Sequence, residues 1–187
     1  MRFLALLAAF GLVFGVANAE DKWPADYVPG TPVYSGERVG GEDIANAVVI
    51  MELPYADGGD TCGFLDDYDE VCPYSGSTSP DVVYQYTPTG DGLVDITLCQ
   101  GATAYDTKLY VYEDEHTPGV PFACNDDECP GYVSELMGLQ LNLGHTYFIV
   151  VDGYYGDCGY YDLDITGDEG GSPAESPTWG TIKGMFK

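Results

Sequence analysis

The residues of this chain that could do chemistry are six cysteines and several dense runs of carboxylates. Cys62, Cys72, Cys99, Cys124, Cys129 and Cys158 all fall in the central stretch. In an exported chain an even number of cysteines reads as a disulfide set. The spacing favours local closures, Cys62–Cys72 and Cys124–Cys129, which leaves Cys99–Cys158 as the long-range pair. Zinc is the rival reading. It is disfavoured because there is no C-x-x-C, and the two histidines, His116 and His145, show no ligand spacing.

The carboxylates cluster inside the cysteine intervals. Asp66, Asp67, Asp69 and Glu70 follow Cys62, while Asn125, Asp126, Asp127 and Glu128 lie between Cys124 and Cys129. Calcium takes about six to eight hard oxygens, commonly from loops that also offer backbone carbonyls. The first candidate calcium set is therefore Asp106, Asn125, Asp126 and Asp127, with Asp106 at the entry of a strand. Asp66, Asp67 and Asp69 form a second. Neither fits the EF-hand spacing, and the competing role for such side chains is to cap turns. Tyr154 and Tyr155 flank the turn holding Cys158 and are candidate ligand contacts, since exposed tyrosines stack on sugar rings or fill protein grooves. Catalytic signatures are missing. There is no G-x-S-x-G, neither histidine is placed as a base, and Asp106-Thr107-Lys108 only superficially resembles an aspartic-protease loop. The chain reads as a non-enzyme. A small secreted hydrolase using a carboxylate pair is the alternative.

Strands must position these groups. Ala47–Leu53 is the first apolar run, ended by Pro54, and residues 56–81 follow as a long polar loop. Val82–Thr87 alternates with Val82, Tyr84 and Tyr86 on one face. After a Gly-Asp-Gly turn, Leu93–Cys99 places Val94, Ile96 and Leu98 inward. Lys108–Glu113 is next. Ser134–Leu143 sets Leu139, Leu141 and Leu143 on one face. His145–Asp152 is the most apolar strand and is expected at the centre, and Gly159–Thr166 points Tyr161, Leu163 and Ile165 inward. Alternation with period two marks half-buried strands. Seven or eight of them, with turns rich in the 25 glycines and 12 prolines, predict an all-β, antiparallel β-sandwich with disulfide-stapled loops.

The flanks read differently. Residues 1–19 have a charged start, an apolar run and a small-residue Ala17-Asn18-Ala19 site, as in a signal peptide. Residues 20–41 form an extended lead-in, 42–167 the domain, and 168–177 a Gly/Ser/Pro-rich linker. Residues 178–187, with Trp179, Ile182, Lys183, Phe186 and Lys187, form a tail suited to sorting or docking. Cleavage would leave five basic against 31 acidic residues, a formal charge of −26. Such a surface disfavours nucleic acid and anionic membranes as partners, and no membrane insertion is expected after cleavage. The expected location is extracellular or at the cell surface.

A family resemblance is carried by Asp81-Val-Val-Tyr-Gln-Tyr-Thr, Val94-Asp-Ile-Thr-Leu and Tyr105-Asp-Thr-Lys-Leu-Tyr-Val-Tyr. It continues in Gly144-His-Thr-Tyr-Phe-Ile-Val-Val-Asp-Gly and Gly159-Tyr-Tyr-Asp-Leu-Asp-Ile. In their order these blocks resemble the bacterial pre-peptidase C-terminal domain over roughly residues 44–166. The resemblance implies a jelly-roll-like sandwich without catalytic activity, of a kind that accompanies secreted hydrolases, with calcium held by related modules. The chain departs from that pattern in its cysteines and in having no protease domain attached. The expected function is a secreted, calcium-stabilised binding module for an extracellular protein or polysaccharide.

Overall fold

The computed structural model describes residues 40–167, apart from 73, 76 and 77. The predicted signal peptide, nearly all of the lead-in, the linker and the tail lie outside the described residues. Among the described residues, nine strands follow a 3-10 turn at Ile44–Asn46. They are β1 (Val48–Ile50), β2 (Tyr55–Asp60), β3 (Val82–Tyr86), β4 (Gly92–Thr97), β5 (Thr107–Glu113), β6 (Ala123–Asp126), β7 (Glu135–Leu141), β8 (Tyr147–Gly153) and β9 (Tyr160–Gly167). They form two sheets, a larger one in the order β1-β3-β8-β5-β6 and a smaller one in the order β2-β9-β4-β7. The predicted β-sandwich is therefore present, and β8, the most apolar strand, lies at the middle of its sheet. One pairing departs from the all-antiparallel expectation, because β1 runs parallel to β3.

The inner faces behave as alternation requires. Val82, Tyr84 and Tyr86 from β3, Val94 and Ile96 from β4, and Tyr161, Leu163 and Ile165 from β9 all join one apolar core between the sheets. Several tyrosines at the core keep their hydroxyls bonded. The Tyr84 and Tyr161 hydroxyls lie 2.7 Å apart, and Tyr55 donates to Asp57 Oδ2 at 2.8 Å.

Three expectations about local structure need correction. The stretch 56–81 is not one loop. Its first residues, Tyr55–Asp60, form β2 against β9; two glycines and two acids hide the alternation that would have revealed them. Phe64 then joins the inner core, and the residues around Tyr68 and Cys72 form a strap over the outer face of the larger sheet. There Tyr68 and Cys72 pack on Val83, Tyr110, Tyr112, Phe148 and Val150 as a second apolar cluster. In β7 the period breaks. Val94 pairs with Leu139 but Ile96 pairs with Leu136, so Met137 and Gly138 oppose Asp95 alone. Gly138 adopts φ +65° and donates its N–H to Asp95 Oδ1 at 2.6 Å, an arrangement that forms a β-bulge. Leu136 and Leu139 therefore pack against the core while Leu143 is exposed. The segment around Cys124 is a further correction: it is an edge strand, β6, rather than an acidic loop.

The disulfides are Cys62–Cys158, Cys72–Cys124 and Cys99–Cys129. All six cysteines are paired, but none of the expected pairs occurs. Register explains the first. Asp60 opposite Tyr160 places Cys62 opposite Cys158 two residues further on. Thr97 opposite Glu135 brings Cys99 to Val133, which bridges to Cys129. Cys124 faces outward from β6, where the strap delivers Cys72. The local pairs fail because Cys62 is drawn to Cys158 by the β2–β9 register, while Cys124 faces the strap and Cys129 bridges toward Val133.

Candidate functional site

The outer face of the larger sheet carries a row of charged side chains beneath the strap. Lys108 of β5 lies across from Asp152 of β8 on one side and Asp126 of β6 on the other. Asp81, one residue before β3, extends the row beyond Asp152, since Val82 pairs with Val151. All four are buried. Two-residue alternation puts them there: Lys108 shares a face with Tyr110 and Tyr112, and Asp152 with Val150 and Phe148.

The row anchors the strap. Lys108 Nζ donates to the carbonyls of Glu70 at 2.7 Å and Tyr74 at 3.0 Å. The Glu70 carboxylate accepts from Tyr112 Oη at 2.8 Å and from the Gly119 N–H at 2.9 Å. Asp81 Oδ2 accepts the N–H groups of Asp67 and Tyr68, each at 2.9 Å. Its other oxygen, Oδ1, is buried and accepts no hydrogen bond among the described residues. Burial pushes the Asp81 carboxyl up to about 7; the two backbone donors oppose the shift, and the nearby Asp67 and Asp66 add to it. Burial also holds Asp152 well above the usual carboxylate range, with Asp81 reinforcing it. The Gly153 N–H, the Tyr110 hydroxyl and Lys108 pull the other way.

At one end of this row three carboxylates converge. Oxygens of Asp106, Asp126 and Asp127 lie within 4.8 Å of one another. Asp106 and Asp126 are buried and Asp127 is half-buried. Asp106 precedes β5, and its N–H donates to Asp157 Oδ2 at 3.2 Å, so a further buried carboxylate borders the cluster next to the Cys62–Cys158 staple. Asp127, with φ +74°, turns the chain away from the edge strand. Hard oxygens gathered in this way suit a divalent cation of the calcium type.

The sequence-predicted residues divide as follows. Asp106, Asp126 and Asp127 come together. Asn125 does not join them; alternation turns it to the other face of β6, where its Oδ1 accepts the Glu135 N–H at 3.0 Å. Asp66, Asp67 and Asp69 are exposed on the strap and do not converge into a tight three-carboxylate set. Partial burial, with repulsion from Asp69 and Asp67 adding to it, raises the Asp66 carboxyl. Tyr155 is 59% exposed, whereas Tyr154 is buried, a correction to its expected role in direct contact. Tyr154 donates its N–H to the Asp106 carbonyl at 2.9 Å. Its ring lies edge-on to Tyr74 at 5.8 Å and 6.0 Å from Tyr155. A tyrosine shelf of Tyr74 and Tyr155 over a buried Tyr154 is thus tied to the backbone of the carboxylate cluster.

No family model matches the chain, and no curated protein matches it in sequence. Among solved structures it is similar to the pre-peptidase C-terminal domain of a collagenase from Bacillus anthracis. The TM-score is 0.44 and the identity 13%, over 71% of this chain and 99% of that one. The likeness is one of fold, and the site stands on its own residues.

Sequence reasoning missed the buried network of Asp81, Glu70, Lys108 and Asp152. Lys108 did carry a signal: it alternates with Tyr110 and Tyr112 on what would have been a solvent face. Aliphatic residues (Leu109, Val111) on one face of the strand and aromatics (Tyr110, Tyr112) on the other indicate that both faces are covered.

Proposed function

We propose that this protein is a secreted, non-catalytic binding module that holds calcium at Asp106, Asp126 and Asp127. It would engage an extracellular protein or polysaccharide through the adjoining Tyr74–Tyr155 shelf. The observation that carries the reading is the convergence of those three carboxylates. Like charges brought this close inside a fold repel strongly, and a divalent cation reverses that balance. The cluster shares the Asp106 backbone with Tyr154, so an ion there would stiffen the shelf. The three disulfides fit an oxidising compartment. No helix among the described residues is long and apolar enough to cross a membrane.

Extracellular calcium modules bind at about 10⁻⁴–10⁻³ M. At about 10 mM calcium, mass action then stabilises the fold by about 1.4–2.7 kcal/mol, or about 3–10 °C in melting temperature. Magnesium does less, because it dehydrates reluctantly. The test is a set of melting curves in EDTA, calcium and magnesium at matched ionic strength, for the parent chain and for Asp126→Asn. A calcium-specific shift that Asp126→Asn removes supports the site; equal shifts from both cations overturn it as screening of surface charge. A glycan array and a pull-down with the same chain address the ligand. Polysaccharide turnover lost on a single Asp→Asn change would replace the binding reading with the hydrolase.

A further inference from the structure

Two carboxylates and an imidazole meet at the far end of β5, outside the site described above. Glu113 ends that strand, Asp114 follows it, and His145 sits in the turn entering β8. Imidazole Nδ1 of His145 lies 2.8 Å from Asp114 Oδ2 and 3.7 Å from Glu113 Oε1, and the three groups form a compact donor set within 4.8 Å. Asp106 and Glu113 are seven residues apart along an extended strand, about 23 Å, so this set is separate from the aspartate cluster.

We propose that Glu113, Asp114 and His145 form a binding site for a zinc-class divalent metal ion, with water completing the coordination. Zinc bonds to nitrogen and oxygen at about 2.0–2.2 Å, and a tetrahedron of such bonds has edges of about 3.3–3.5 Å. The two separations from the imidazole bracket that edge, so shifts of about half an ångström bring His145 into range with each carboxylate. The other oxygen of each carboxylate is already held from outside the set. Tyr147 Oη donates to Glu113 Oε2 at 2.8 Å, and the Thr146 N–H donates to Asp114 Oδ1 at 3.0 Å. The remaining oxygens are thereby aimed at the imidazole, the arrangement that outer hydrogen bonds give to metal ligands. Backbone pairing fixes the two segments, since the Asp114 N–H donates to the Thr146 carbonyl at 2.7 Å.

The donor chemistry separates this site from the calcium cluster. One nitrogen and two carboxylates are too few oxygens for calcium, and imidazole suits zinc, nickel and copper. Charge also fits, because two carboxylates and a neutral imidazole cancel a doubly charged ion. His145 is 40% exposed and Asp114 54%, so the ion has an open path and room for water. The hydrogen bond to Asp114 raises the His145 pKa. A metal on Nδ1 must displace that proton, so affinity falls as pH drops.

The test is calorimetric titration of zinc into the oxidised chain, with calcium present to occupy the aspartate cluster. One saturable equivalent is expected at pH 7.5, at least about tenfold weaker at pH 6. His145→Ala and Asp114→Asn each weaken it about tenfold or more, and Tyr147→Phe weakens it by about 10–100-fold through the lost support of Glu113. His116→Ala leaves it unchanged. Melting curves in EDTA confirm that every variant is folded. No stoichiometric zinc binding, or equal binding by the parent and folded His145→Ala, overturns the proposal and leaves the three groups as an ion pair.

Discussion

Replacing Asp81 by asparagine tests whether the buried carboxylate beneath the strap titrates as its surroundings demand. Asp81 is fully buried and faces Asp66 and Asp67 from the strap and Asp152 from β8. Its carboxyl titrates near 7 in the fold, against an ordinary value of 3.8. The folded state therefore binds a proton more tightly than the unfolded chain does. Stability from this group is fully present below about pH 4 and is lost as pH rises through about 7. Between pH 8 and pH 5 the separation is worth about 2–3 kcal/mol in favour of the acid side. Asparagine is close in shape to the protonated acid and keeps an oxygen for the Asp67 and Tyr68 N–H groups. The parent chain should gain about 2–3 kcal/mol more than Asp81→Asn on going from pH 8 to pH 5, and the variant should be the more stable of the two at pH 8. Urea unfolding at both pH values, in EDTA to exclude bound cations, gives the four free energies. Repulsion over the rest of the acidic surface is common to both proteins and cancels in the comparison. Parallel pH profiles for the two proteins would show that Asp81 is ionised at no such cost, and would refute the reasoning.

Two further predictions follow from the packing. Non-reducing peptide mapping should recover Cys62–Cys158, Cys72–Cys124 and Cys99–Cys129. The double change of Cys72 and Cys124 to serine should cost about 2–4 kcal/mol by releasing the strap from β6, and a Cys62–Cys72 peptide would contradict the fold. Tyr154→Ala should destabilise by about 3–5 kcal/mol, as truncation of a buried aromatic does. Tyr155→Ala should stay within about 0.5 kcal/mol of the parent in a urea melt while weakening ligand capture; the opposite pattern would reverse their roles.

The sequence by itself determined the sandwich and much of its inner face. Strict alternation in Val82–Tyr86, Gly92–Thr97 and Tyr160–Gly167 fixes which side chains look inward, because period two leaves one choice once a core exists. The acidic runs marked Asp106, Asn125, Asp126 and Asp127 as candidates, but the approach of Asp106 to Asp126 and Asp127 came from the pairing of β5 with β6. The common cause is register: the charged row runs across β5 and β6, and the outward-facing residues of neighbouring strands meet in pairs. Only the tertiary structure decided the burial of that row and what surrounds it. The cysteine pairing depends on which strands are neighbours, and β2–β9 adjacency is not written in either segment alone. The strap over β3, β8 and β5 turned a presumed solvent face into a second interior, which buried Lys108, Asp152 and Asp81. Asn125 left the cluster because β6 is a strand, and one residue along a strand is the opposite face. The meeting of Glu113, Asp114 and His145 likewise required β5 to lie beside β8, so that groups 31 residues apart in the chain come within 2.8 Å. Local pattern sets which way a side chain points. What it points at is set by long-range pairing, which no local stretch encodes.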